Sequence, residues 1–430
     1  MNGQETSRKT IWSWALYDFA NSSFTTLTVT FIYATYFTLG IAENETEGTR
    51  QWSTAIAITA FVVAVLSPYL GALADRGGLR KQFLATSTII CVAGSILLFF
   101  PQEGQVGFAL AVFVITNIAF EMGNVFYNAY LPDIAPAKQI GRISGYGWGL
   151  GYLGGLLCLV AALFGFVQTD TPILGFGTDN GENIRATNLL VAAWFALFSL
   201  PIFFLVKNKS QQSLPDVRTL IGQANQQLVS TFLEISRRFR QVLRFLVARL
   251  VYNDGLITVF AFGGIYASTT FGFSTEKVIV FGITLNIAAG LGALAFGYID
   301  DKLGGRTTII LSLVGLIGFG LVAVLARMEI LFWVAGLGAG LLAGPNQSAS
   351  RSLLGRFTPE GKRNEFYGFF ALSGKFTAFL GPLLLGLVVQ ATGSQRWGMA
   401  TVIFFFAAGL ILLLRVNEKD GIRNVLELEE

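Results

Sequence analysis

The sequence predicts an all-α polytopic membrane protein with twelve transmembrane helices in two pseudo-symmetric six-helix bundles. Of its 430 residues, 53% are hydrophobic and 13% charged, and the mean hydropathy is +0.60. Soluble domains carry about 25% charged residues. Twelve mainly apolar segments are long enough, at roughly 18 residues or more, to cross a ~30 Å hydrocarbon core. A polar insert over 207–245 divides them six and six.

The expected spans lie near 12–39, 52–74, 82–102, 106–131, 143–168 and 186–206, then 246–272, 278–299, 307–326, 330–350, 367–391 and 397–415. The organisation is therefore a first bundle over 1–206, a cytoplasmic linker over 207–245, and a second bundle with a tail over 246–430, with no room for a soluble domain.

Span 1 contains "WALYDFANSSFTTLTVTFIYATYF", whose one full charge is Asp18. An unpaired buried carboxylate costs several kcal/mol, so this acid needs a purpose. At ~100° per residue, Trp14, Asp18, Asn21, Thr25 and Thr28 share one stripe. In span 4, Glu121, Asn124 and Asn128 form a second stripe, with Tyr127 and Tyr130 beside it. Both stripes suit a polar cavity and not a lipid-facing surface. Asp18 and Glu121 are coupling-ion candidates, because a carboxyl group can exchange a proton or bind a cation. Trp14, Asn21, Asn124, Tyr127 and Asn128, with Asn346 of span 10, are candidates for substrate contact. As alternatives, Asp18 ties span 1 to neighbouring hydroxyls and Glu121 is a protonated acid fixed by packing.

Two further charges, Asp254 and Lys375, lie at similar depth in spans 7 and 11. An intramembrane ion pair between them is expected. Lys375 has a second reading as the anchor of a substrate carboxylate, and Arg249 reads as a residue snorkelling to the interface.

The halves share a loop. "GALADRGGLRK" begins at Gly71 and "GYIDDKLGGRT" at Gly297, so that Gly71, Asp75, Gly78 and Arg80 match Gly297, Asp301, Gly304 and Arg306 at an offset of 226. Gly145 and Gly151 match Gly368 and Gly374 at an offset of 223. Internal repeats mark transporters built from related bundles, with a substrate site between them near the midplane. The glycines permit tight turns, and a carboxylate such as Asp75 can hold a helix N-terminus in one conformation and release it in another. These loop residues are expected to gate. The alternative is a solvated turn.

The basic residues set orientation. With a cytoplasmic N-terminus, 24 of the 30 Lys and Arg residues fall on cytoplasmic segments, which places both termini in the cytoplasm. The first apolar run is too long for a cleaved signal peptide. The linker segment "TFLEISRRFRQVLRFLVAR" carries Phe232, Ile235, Phe239, Val242 and Leu246 at helical spacing, with Arg237, Arg238, Arg240 and Arg244 around them. That pattern suits an amphipathic helix on an anionic inner leaflet, or a simple tether.

The glycine–aspartate loop between spans 2 and 3 resembles the signature of the major facilitator superfamily, with Leu79 standing where a first basic residue is usual. "YDFANSSF" (17–24), "NVFYNAYLPDIA" (124–135), "RISGYGWGLGYLGGLL" (142–157) and "GPNQSASRSLLGRFTPEGKRNEFYGFFALSGK" (344–375) resemble the branch of the fungal autophagy-related vacuolar amino-acid effluxer and its bacterial relatives. The resemblance implies the major facilitator fold, a cavity lined by spans 1, 4, 7 and 10, and export or exchange of small metabolites, including amino acids. The expectation is a secondary active transporter in a bacterial cytoplasmic membrane. Its partners are a small-molecule substrate, a coupling proton or sodium ion, and inner-leaflet lipids near the linker.

Other classes fit less well. The absence of histidine removes the common zinc ligands and the His-based triads. No metal, cofactor, enzymatic activity or nucleic-acid partner is expected. "GLGYLG" (149–154) matches a dinucleotide fingerprint but lies inside span 5 with no preceding strand. Gly147, Gly151 and Gly155, and Gly336, Gly340 and Gly344, read as helix-packing faces. The remaining alternatives are a transporter-like sensor or scaffold without flux, and a lipid-moving protein.

Overall fold

The computed structural model describes residues 7–169, 171–207 and 217–429. No strand occurs among them. Span 1 runs Arg8–Ile41, span 2 Glu45–Gly77, span 3 Arg80–Leu97, span 4 Val106–Asn128, span 5 Ile140–Ala162 and span 6 Glu182–Leu205. The linker helix is Val217–Arg237, and residues 208–216 of the expected linker lie outside the described residues. Span 7 is Arg240–Phe271, span 8 Thr275–Leu303, span 9 Gly305–Leu325, span 10 Glu329–Arg356 and span 12 Gln395–Leu414. Span 11 is broken into Arg363–Lys375 and Leu380–Thr392, and a C-terminal helix follows over Glu418–Glu429.

Ten of these helices are long and apolar enough to cross a membrane by length and composition. Spans 3 and 10 complete the twelve. Span 3 is short and opens on Arg80 and Lys81, while the last third of span 10 is polar, through Asn346 and Arg351. The surface is that of a lipid-solvated protein: Phe204 is 79% exposed, Leu325 72% and Phe164 71%.

Contacts divide the chain into two compact units. The first comprises residues 1–63, 78–127 and 150–213. Its core joins spans 1, 2 and 4 through Tyr33, Phe37, Trp52 and Phe113, with Trp52 and Phe113 stacked at 3.9 Å. Span 5 reaches span 1 closely because it presents glycine there. A Cβ on Gly154 would fall 2.1 Å from the Phe19 carbonyl oxygen. Span 1 leaves α geometry for a π-helix over Phe24–Phe31 and again over Phe37–Ile41, a wide turn often found at functional sites.

The second unit comprises residues 64–77, 128–149 and 214–430. It holds spans 7–12 together with the loop-side ends of spans 2, 4 and 5. Stacked rings of Phe271 and Phe332 at 4.5 Å, with Phe281 and Tyr266, fill its core. Gly340 and Gly344 lie against the span 8 backbone, where a Cβ would come within 2.8 Å of Leu285 O and 2.0 Å of Ala289 O. Such small-residue faces let helices associate where the hydrophobic effect supplies no drive.

Candidate functional site

In the first unit, the stripes of spans 1 and 4 meet. Asn21 Nδ2 donates to Asn124 Oδ1 at 2.9 Å, and Trp14 Nε1 donates to the Tyr127 carbonyl at 3.0 Å. The Tyr127 ring stacks between Trp14, at 4.7 Å, and Tyr17, at 4.9 Å. The Tyr17 hydroxyl bonds Thr88 of span 3 at 2.8 Å. Trp14, Tyr17, Asn21 and Tyr127 are all buried, so these rings and amides pack on one another where spans 1, 3 and 4 meet.

Asp18 and Glu121 are half-buried members of these helices, one turn from Asn21 and Asn124 respectively. Beside Asp18, a Cβ on Gly151 would meet Ser22 Oγ at 2.9 Å, so spans 1 and 5 are in contact there. Thr28 is drawn away from the predicted stripe, donating to Asn188 of span 6 at 3.0 Å, and Thr25 is exposed.

In the second unit, both loop aspartates reach helix N-termini. Asp75 Oδ1 accepts from the Asn364 backbone N–H at 3.2 Å and from Asn364 Nδ2 at 2.6 Å, and Oδ2 accepts from Glu365 N–H at 2.9 Å. Asp301 Oδ1 accepts from the N–H groups of Gly141 and Arg142 at 2.8 and 3.3 Å, and Oδ2 from Arg142 Nε at 2.5 Å. Gly141 and Arg142 match Asn364 and Glu365 at the same offset of 223 that relates Gly145 to Gly368. The duplication is thus visible in the contacts themselves.

Close approach makes glycine obligatory in both copies. A Cβ on Gly71 would lie 2.4 Å from Asn364 O, and one on Gly297 2.8 Å from Arg142 Cα. Gly78 and Gly304 turn the two loops at φ 62° and 88°, a region that side chains disfavour. Each carboxylate answers N–H groups that a first helical turn leaves without intrahelical partners, in the favourable sense of the helix dipole. Arg306 is used differently from its sequence neighbours: its N–H donates to Glu418 of the C-terminal helix at 2.9 Å, and its guanidinium to Leu414 O at 3.0 Å. Arg80 opens span 3, in the first unit.

The expected Asp254–Lys375 pair does not form. The buried Asp254 carboxylate accepts from Thr377 Oγ1 at 3.2 Å, because span 11 breaks after Lys375 and presents Thr377 instead. Gly381 resumes the helix against the Asp254 backbone, where a Cβ would lie 2.8 Å from Asp254 O. Arg249 is also corrected. It turns inward, lying 3.5 Å from the Phe370 ring centroid and donating to Phe370 O and Ser373 Oγ at 2.7 and 2.9 Å. Gly374 leaves the space for its guanidinium. Asn346 is fully buried, donating to Ser312 Oγ at 2.9 Å.

Arg351 escaped the sequence reading because span 10 was expected to end at 350, whereas the helix continues to Arg356. It is buried, donating through Nε to Ser144 Oγ at 3.0 Å, through Nη2 to Ser144 O at 2.7 Å and through Nη1 to Asn128 Oδ1 at 3.1 Å, with Trp148 beneath it. The offset of 223 maps Arg351 onto Asn128, a signal that was available in the sequence. Asp300 was missed too. It pairs with Arg356 at 2.6 Å inside the second unit.

Twelve helices in two duplicated halves, joined to a repeated glycine–aspartate loop, define a membrane transporter of the major facilitator superfamily. More particularly, the chain belongs to the vacuole effluxer Atg22-like family, whose profile matches residues 52–426. It is similar to YxiO of Bacillus subtilis, described as an uncharacterized MFS-type transporter, with 28% identity over 95% of each chain. Autophagy-related protein 22 of Coccidioides immitis is 23% identical over 92% of this chain and 76% of its own length. Among solved structures, the proton:xylose symporter XylE superposes with a TM-score of 0.74 at 14% identity, covering 98% of both chains. The fucose transporter FucP in its outward conformation gives 0.73 at 13%, over 95% of this chain and 98% of its own. At such identities the likeness is one of fold.

Proposed function

We propose that the chain is a secondary active transporter that moves a small solute, an amino acid in the first instance, by alternating access coupled to a proton or sodium ion. The observation that carries this reading is the duplicated hold of Asp75 on Asn364–Glu365 and of Asp301 on Gly141–Arg142. Each hold is a small set of charge-assisted bonds to a helix terminus, worth about 1.5–3 kcal/mol per bond. Bonds of that size fasten a gate and still release it within a transport cycle.

The solute site on this reading is the face of Trp14, Asn21, Asn124 and Tyr127 in the first unit, while Asn128 and Asn346 of the second unit remain separate candidates for substrate contact. Asp18 and Glu121 are the coupling groups, since each flanks the amides that would grip the solute and can carry a proton or face a cation. The match to the vacuole effluxer Atg22-like family supports export of a solute, and an amino acid is the substrate class implied by the resemblance of the sequence motifs to the effluxer branch. Both termini face the cytoplasm of a bacterial cell in this reading, following the basic-residue bias.

The test is counterflow of labelled amino acids in proteoliposomes, native against Asp18→Asn, followed by uptake under an imposed proton or sodium gradient. Exchange that persists in the variant while gradient-driven uptake disappears supports Asp18 as the coupling residue. Absence of exchange by folded native protein refutes the amino-acid assignment.

A further inference from the structure

The linker helix Val217–Arg237 buries polar side chains against the protein and leaves large apolar ones exposed. The side turned to the protein carries Gln227 and Thr231 beside Ala224 and Ile235; the two polar side chains are buried, and each donates to Glu365 Oε2 at 2.9 Å. Glu234 adds an ion pair to Lys362 at 2.6 Å. The side turned outward carries Val229 and Phe232, each 62% exposed, and Leu233, 45% exposed, among the polar Asn225, Gln226 and Ser236. Soluble surface helices bury the apolar face and expose the polar one.

This differs from the stripe expected from the sequence. Ile235, Phe239, Val242 and Leu246 are buried against the protein, and of that set only Phe232 points outward. The chain bends at Phe239, between the linker helix and span 7, and Phe239 packs edge-on to Phe366 at 5.4 Å. Contacts with residues 362–366 set the linker helix level with the first turn of span 11. An apolar strip at that level, followed by the exposed Arg237, Arg238, Arg240 and Arg244, has the charge and shape of a surface that enters anionic lipid headgroups.

The residue that the linker helix grips is the residue Asp75 grips. Glu365 gives its backbone N–H to Asp75 and its carboxylate to Gln227 and Thr231. We propose that the linker helix is a lipid-operated clamp. Anionic lipid seats its apolar strip and arginines, and the seated helix fastens the first turn of span 11 in the position where Asp75 holds it. The proposal rests on the transporter reading only for what the clamp governs.

The test uses the full chain in nanodiscs of phosphatidylcholine alone or mixed with phosphatidylglycerol. Fluorescence of a Phe232→Trp variant is expected to be quenched by brominated acyl chains. Amide hydrogen exchange over residues 362–370 is expected to slow by at least about fivefold in the anionic discs. Replacing Arg237, Arg238 and Arg240 by Gln removes that slowing. Gln227→Ala with Thr231→Ala removes it as well but leaves the quenching, because the helix still meets lipid while its hold on Glu365 is gone. Unquenched fluorescence in F232W overturns the lipid-facing assignment, and equal exchange in the two lipids overturns the clamp. Neither readout measures flux, so failure of the transport reading appears separately, as absent counterflow.

Discussion

Arg351 donates to Asn128 Oδ1 at 3.1 Å, and the two residues occupy equivalent positions in the duplicated sequence, 223 apart. The fork of the guanidinium also holds Ser144 at two points. Lysine carries the same charge without the planar fork. Arg351→Lys is therefore expected to loosen residues 128–149, raising their amide exchange by roughly tenfold, as a loss of about 1.4 kcal/mol would. Exchange unchanged in that segment would show that charge alone suffices.

The two aspartate holds are expected to be similar in strength. Asp75→Asn and Asp301→Asn each keep shape but lose the charge that faces the N–H groups. Each is expected to speed amide exchange at its partner, 364–365 or 141–142, by about ten- to a hundredfold. Counterflow measured beside it should fall in both variants if the holds gate transport.

Glycine substitutions separate close approach from helix propensity. A Cβ on Gly71 meets Asn364 O at 2.4 Å and one on Gly368 meets Ser67 O at 2.4 Å, whereas Gly107 has nothing within 4 Å. Gly71→Ala and Gly368→Ala are expected to destabilise by about 1–3 kcal/mol, with Gly107→Ala neutral or slightly stabilising. Thermal midpoints of the three purified variants decide the matter.

Asp254 supplies a test of the corrected pairing. Its carboxylate is bonded to Thr377, so a double-mutant cycle between Asp254→Asn and Lys375→Gln is expected to show coupling below about 0.5 kcal/mol. Thr377→Val in place of the lysine variant should couple with Asp254→Asn by about 1 kcal/mol. The reverse order would restore the ion pair.

What was legible in the sequence is what depends on local composition or on repetition. Span positions follow from apolar length, and the matched loops at Asp75 and Asp301 follow from an offset that needs no structure. The Asn21–Asn124 contact was half visible, since helical period set each residue on a polar stripe without saying that the stripes meet. Features fixed by partners were hidden. The break after Lys375 depends on how span 11 seats against Asp254, and the π-helix at Phe24–Phe31 has no composition of its own. The outward residues Val229 and Leu233 of the linker helix were not singled out because period alone cannot say which face a neighbour will cover, and Glu365 draws Gln227 and Thr231 inward.

The matched holds also bear on ancestry. In a six-helix forerunner assembled as a symmetric pair, one aspartate hold and its mirror would have formed a self-complementary interface between identical subunits. Position 128 would then have faced its own copy, where two guanidinium groups repel. A single chain can carry Arg351 in one copy and Asn128 in the other, so the asymmetric bond between them is one that a symmetric pair of identical subunits, with the same residue at both positions, could not make.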